Sequence, residues 1–160
     1  MNKHIYTEFR RCIQCQGCEI ACQREHNGQS NLNVVAVEDH FAVPIACRHC
    51  DPAPCSLVCP HDALKSNGVE VKFDPEKCTG CKLCIIACPF GAMGFNSTDS
   101  VAAKCDLCEN RRSNGEEPAC VVTCPSRALE YDIYQKHGSL KRRRSLAFLA
   151  GQPPLKGGLI

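Results

Sequence analysis

Sixteen cysteines in a chain of 160 residues leave little freedom for any fold that does not gather them. They fall into four groups of four, with none left over: Cys12, Cys15, Cys18 and Cys22; Cys47, Cys50, Cys55 and Cys59; Cys78, Cys81, Cys84 and Cys88; Cys105, Cys108, Cys120 and Cys124. The third group, with Pro89 after it, reads C-x2-C-x2-C-x3-C-P, and the other three are variants of it. Three groups end alike, as CPHDAL at 59–64, CPFGAM at 88–93 and CPSRAL at 124–129, while in the first Gln23 replaces the proline. One cysteine-rich unit has been used four times.

Three chemistries compete for cysteines at this density. A disulfide framework belongs to short secreted chains. Residues 1–11, MNKHIYTEFRR, have neither an apolar h-region nor a small-residue cleavage site. Zinc joins two C-x2-C or H-x3–5-H pairs across a finger, and seldom three cysteines at C-x2-C-x2-C with a fourth four residues on. That last spacing is the run that holds a 4Fe–4S cluster in bacterial ferredoxins. Its loop curls round a cube and delivers three sulfurs, while the fourth cysteine faces away and serves a neighbouring cluster. A 3Fe–4S cluster, which often lacks one thiolate, is disfavoured because every group is complete. The expectation is four 4Fe–4S clusters on sixteen thiolates. The second and third groups, close in sequence, are expected to pair. The first and fourth then form the other pair and bring the chain ends together.

Composition agrees with a protein built on cofactors. There are no tryptophans, six phenylalanines and three tyrosines, so a conventional apolar core is thin, and metal–ligand bonds supply folding free energy in its place. The formal charge of +2 counts thiols as neutral. Four oxidised clusters with their thiolates move it to roughly −6, which removes the argument for nucleic acid. No stretch reaches the roughly 18 apolar residues of a membrane span. The chain is expected to be soluble and cytoplasmic.

Local patterns suggest short elements wrapped on clusters. Residues 63–66 and 69–73 flank Asn67-Gly68, which predicts a type I′ hairpin. A second hairpin is expected from 92–95 and 101–104 around 96–100. Residues 83–87 and 56–58 read as helical turns stopped by Pro89 and Pro60. Residues 23–46 are the least regular linker, with one strand candidate at 32–37. The eleven residues between Cys108 and Cys120 read as a surface loop, with Glu116 and Glu117 solvated on it. His49 and His61 are expected near clusters as hydrogen-bonding groups rather than ligands, and His4, His26, His40 and His137 at the surface. A strand over 128–134 is expected to end at His137-Gly138. The basic and apolar run of Lys141, Arg142, Arg143, Arg144, Leu146, Phe148 and Leu149 then reads as a docking tail, too short to be a stable helix alone. There is no G-x-G-x-x-G, no phosphate loop and no cysteine spare for nucleophilic catalysis.

Over residues 3 to 135 the chain resembles the four-cluster ferredoxin-like subunits of anaerobic oxidoreductases, such as formate dehydrogenases, hydrogenase complexes, carbon monoxide dehydrogenases, tungsten aldehyde oxidoreductases and dimethyl sulfoxide reductases. The resemblance rests on CRHCDPAPCSLVCP at 47–60, CTGCKLCIIACPFGAM at 78–93, and CDLC at 105–108 with C-x3-C-P at 120–125. It implies an α+β fold of tandem bacterial-ferredoxin-like modules, with short antiparallel hairpins and short helices around four iron–sulfur clusters. An inner module would span 47–93, an outer one 1–46 with 94–136, and a tail 137–160. The implied ligand sets are Cys12, Cys15, Cys18 with Cys124; Cys105, Cys108, Cys120 with Cys22; Cys47, Cys50, Cys55 with Cys88; and Cys78, Cys81, Cys84 with Cys59. The implied role is a non-catalytic electron relay to a separate catalytic subunit, with a further redox subunit or ferredoxin as a second partner and the tail serving assembly. This chain is shorter than the membrane-complex members and lacks their C-terminal membrane helix, which points to the small soluble branch. A free polyferredoxin shuttle and a metalloenzyme assembly factor are the competing roles; four clusters in a row suit a fixed wire better than a shuttle.

Overall fold

The computed structural model describes residues 3–37 and 41–150. Its strands come only in pairs. β1 (Lys3–Thr7) pairs with β8 (Leu129–Ile133), β2 (Asn33–Val37) with β3 (Phe41–Ile45), β4 (Leu64–Ser66) with β5 (Val71–Phe73), and β6 (Gly94–Asn96) with β7 (Val101–Ala103), all antiparallel. Five short helices stand between them: α1 (Gly17–Glu25), α2 (Pro54–Leu57), α3 (Leu83–Ala87), α4 (Glu109–Ser113) and α5 (Ala119–Thr123). A longer α6 (Tyr134–Leu149) follows β8. Short helices with small antiparallel ribbons make this an α+β fold of the ferredoxin-like kind.

A two-stranded ribbon is marginal in water by itself, so the ribbons depend on what they cover. They cover two main cores, beside a small third cluster of Ala21, Cys108 and Ala119. One gathers Ile5, Leu32, Ala46, Leu107 and Leu129 with Cys18, Cys22, Cys105 and Cys120. The other gathers Ala53, Leu64, Val71, Met93 and Ala102 with Cys55 and Cys84, and Cys59, Cys78 and Cys88 lie at its margin. The first draws its buried cysteines from the first and fourth groups, with Cys124 and also Cys47 of the second group at its margin, and the second draws its cysteines from the second and third. Helices pack in the same pairs, α1 against α5 and α2 against α3. The register Lys3↔Ile133 to Thr7↔Leu129 ties the two ends of the repeat together.

Several local expectations need correction. The first hairpin is not a two-residue type I′ turn: Leu64↔Phe73 and Ser66↔Val71 leave four residues in the loop. The Asn67 carboxamide oxygen accepts from the N–H groups of Val69 and Glu70, and this Asx turn widens the connection. Residues 23–37 and 41–46 hold more regular structure than expected, because α1 runs on to Glu25 and β2 finds a partner in β3. Between Cys108 and Cys120 lies α4, where Arg111 pairs with Glu25 and Glu116. The chain does not break at His137-Gly138. Gly138 lies inside α6, where one glycine costs about 1 kcal/mol and the leucines, lysine and arginines around it favour the helix. The second hairpin and the α3 turn fall where expected. His40 lies outside the described residues, as does the side chain of His137.

Candidate metal centres

Each cysteine group is built on a repeated backbone device. The second residue after the leading cysteine is left-handed in all four: Gln14 (φ 59), His49 (φ 48), Gly80 (φ 70) and Leu107 (φ 59). In the last three groups the third residue after the final cysteine is left-handed too: Asp62, Gly91 and Arg127. A non-glycine residue pays about 1–2 kcal/mol for this conformation. Strain repeated at matching places marks a functional constraint: it curls each loop so that neighbouring sulfurs face one point. Cysteines three and four of a group lie a helical turn apart and point inward, so the residue midway points out. Leu57 is 77% and Ile86 83% exposed for that reason.

The structure brings cysteines of different groups together. Cys59 lines one cavity with Cys78, Cys81 and Cys84, closed by apolar residues that include Leu64, Phe73 and Phe95. Burial raises the Cys55 thiol, and the neighbouring Cys47 and Cys88 sulfurs raise it further. Cys47 is likewise raised by burial and then by Cys50 and Cys88, with Lys104 opposing. Cys120 is pushed up by burial, then by Cys105, Cys108, Cys22 and Cys18. Cys18 is pushed up to about 11, chiefly by burial and in part by Cys124. Beside Gly17, a point 3.6 Å from Cys15 Sγ is also 3.6 Å from Thr123 Cγ2, so the first loop abuts the residue before Cys124. Cys12 sits half-buried at the head of that loop, after the 3-10 turn of Phe9–Arg11.

All sixteen thiols are free, and they fit iron–sulfur clusters. Burial pushes Cys105 up to about 12, so thiolates here need a positive charge to replace water. Iron supplies it, and loading must release protons. Backbone N–H groups already point at sulfurs: Asn31 to Cys22 at 3.3 Å, Ala102 to Cys78 at 3.5 Å, Leu107 to Cys105 at 3.4 Å and Ala128 to Cys124 at 3.2 Å. Such donors favour the charged sulfur.

The histidines divide. His49 is buried, and its Nδ1 accepts from Val71 N–H at 3.1 Å. Burial and the Lys104 charge hold it down to about 3, so it is neutral. His61 lines the Cys59 cavity. His26 is not a surface residue: it is half-buried, Nε2 lies 3.0 Å from Asp106 Oδ1, and Nδ1 lies 2.9 Å from the Cys22 carbonyl oxygen. The Asp106 hydrogen bond raises it to about 11. Asp106 is held well below the usual carboxylate range; burial opposes this, and the His26 hydrogen bond and charge prevail. His26, Asp106 and Lys104 carry no spacing signal in the sequence, since their roles depend on which groups the fold brings beside them.

One glycine tests the loop geometry. A Cβ on Gly80 would lie 2.5 Å from the Ser100 carbonyl oxygen, at φ +70, whereas one on Gly91, at φ +61, meets nothing within 4 Å. Gly80→Ala is expected to cost at least about 2 kcal/mol and to loosen the site of Cys78 and Cys81, and Gly91→Ala only about 1 kcal/mol. Thermal melting and iron content of the two loaded variants check this; equal losses contradict it.

Comparison with known proteins agrees. Residues 38–133 match the family described as 4Fe-4S dicluster domain, and residues 10–25 the one described as 4Fe-4S binding domain. This chain therefore belongs to the 4Fe-4S dicluster family. Among its relatives, UacF of Escherichia coli (strain K12) is 44% identical over 139 residues, covering 81% of this chain and 21% of that longer protein. An iron-sulfur protein of Rhodospirillum rubrum is 34% identical over 174 residues, covering 91% of this chain and 92% of the relative. The B subunit of the anaerobic dimethyl sulfoxide reductase of Escherichia coli (strain K12) is 33% identical over 163 residues, covering 85% of this chain and 78% of the relative. This chain thus spans about a fifth of UacF but most of the other two. Among the described residues no helix is long and apolar enough to cross a membrane.

Proposed function

We propose that this chain is a non-catalytic electron-relay subunit of an anaerobic oxidoreductase complex, carrying four 4Fe–4S clusters. The observation that carries the reading is the pooling of cysteines across groups. The ligand sets are Cys12, Cys15, Cys18 with Cys124; Cys105, Cys108, Cys120 with Cys22; Cys47, Cys50, Cys55 with Cys88; and Cys78, Cys81, Cys84 with Cys59. They divide the chain into an inner module, 47–93, and an outer one, 1–46 with 94–136. When bound, a cluster takes up and gives up single electrons with little rearrangement. The protein's part is to hold sulfurs in fixed places, to exclude water with Leu64, Phe73, Leu107 and Leu32, and to aim N–H groups at sulfur. Sixteen cysteines that must all stay reduced until clusters are loaded favour assembly in a reducing compartment such as the cytoplasm.

The partner is a catalytic oxidoreductase subunit. In UacF the matching stretch is one part of a longer protein, and the dimethyl sulfoxide reductase relative is by its name one component of an enzyme. α6 is the docking element: it packs on β1 and β8, while Lys141, Arg142, Arg143, Leu146 and Leu149 are exposed along it. Anaerobic purification of the tagged protein from its own cells is expected to recover a larger catalytic subunit. Deleting residues 138–160 should leave iron content and visible spectrum intact and weaken that recovery at least tenfold. Elution of the full-length protein alone, near its monomer mass, would favour a shuttle. Undiminished recovery after truncation would remove the tail from the account.

A further inference from the structure

Among the described residues only two buried side chains are polar or charged, His49 and Lys104, each 5% exposed. They meet at one residue, Val71. Val71 N–H donates to His49 Nδ1 at 3.1 Å, and the Val71 carbonyl accepts from Lys104 Nζ at 2.6 Å. Lys104 Nζ also donates to the Cys105 carbonyl at 2.7 Å. Val71 belongs to the core of Cys55 and Cys84, and Cys105 to the core of Cys18, Cys22 and Cys120. One ammonium therefore spans the junction of the two cores.

Among the described residues that ammonium has no counter-ion, since the ion pairs they form do not include it. Nor can His49 be one, because an imidazole is neutral or positive and never an anion. Two carbonyl oxygens satisfy hydrogen bonds but carry only partial charge, and a buried ammonium without an opposite charge is costly. Its acceptors lie next to sulfur: Cys105 carries a thiol itself, and Val71 packs in the core with Cys55 and Cys84. Glu70, Asp106 and Glu109 line the same cavity as Lys104 but are paired with Lys72, Arg112 and His26, and a cluster with four thiolates brings negative charge of its own.

We propose that Lys104 is the counter-ion of the two clusters at this junction, on Cys47, Cys50, Cys55 with Cys88 and on Cys105, Cys108, Cys120 with Cys22, and that it raises their reduction potentials. Each cluster gains one negative charge when it accepts one electron, so a fixed positive charge nearby stabilises the reduced form over the oxidised one. The cluster on Cys78, Cys81, Cys84 and Cys59 lies beyond this junction and is affected less. Lys104 thereby shapes the step by which electrons pass between the two modules. The inference rests on the four-cluster reading.

The test is a potentiometric titration of the anaerobically purified, iron-loaded full-length protein, followed by electron paramagnetic resonance. In Lys104→Met, the ratio of reduced to oxidised junction cluster at the wild-type midpoint is expected to fall about tenfold, a shift of about 59 mV to lower potential for a one-electron couple. Lys104→Arg should stay near wild type. Unchanged potentials in a fully loaded Lys104→Met overturn the inference, as does an equal shift in Lys104→Arg. If Lys104→Met loses iron while Lys104→Arg keeps it, the charge is still required, and the counter-ion role stands; loss in both assigns Lys104 to packing and overturns it. Wild-type protein without iron contradicts the cluster reading itself.

Discussion

Stripping iron from the loaded protein is expected to abolish most of its tertiary structure. Among the described residues the largest fully buried side chains are Leu32, Leu64, Leu107, Pro44 and Pro118, and much of each core is cysteine and alanine. Four separate two-stranded ribbons add little alone. In small metal-folded domains each site contributes on the order of 10 kcal/mol, so losing four leaves too little apolar burial to offset chain entropy. Amide dispersion by NMR, before and after chelation under anaerobic conditions, reads the outcome. Collapse of dispersion is expected, and a chelated, iron-free protein that keeps its dispersed spectrum contradicts the account.

The second large effect comes from breaking ligand sets in pairs. Cys22→Ser and Cys105→Ser sit 83 positions apart in the numbering, yet both are expected to disturb one and the same cluster, with loss of up to about four iron. The cluster on Cys12, Cys15, Cys18 and Cys124 should survive both. Cys59→Ser and Cys81→Ser should likewise share a target, since these residues line one cavity. Paramagnetic resonance of the reduced variants identifies the missing signal. Different signals lost within a pair would show that each group serves its own cluster.

Much of the fold and site is legible in the sequence because cysteine spacing carries chemistry directly. The run from Cys78 to Cys88 needs no tertiary context to be read, and the expected closing of the chain ends corresponds to the pairing of β1 with β8. What stays hidden depends on long-range partners. β1 and β3 lack alternation that marks a strand; each forms because β8 or β2 lies beside it. The Asn67-Gly68 pair suggests a tight turn, but a side-chain oxygen competing for two N–H groups selects a wider one. Gly138 reads as a stop signal, and the helix formers on either side outweigh it. Lys104 reads in the sequence only as the end of a hairpin strand. Only the Val71 and Cys105 carbonyls show that it is buried at a junction. His26 reads as a surface residue for the same reason, since Asp106 is 80 residues away in the sequence.

Iron and acid-labile sulfide in the anaerobically purified protein test the central claim most directly. Four complete thiolate sets require about 16 of each per molecule. Zinc as the principal metal, or iron near half that value, would contradict it.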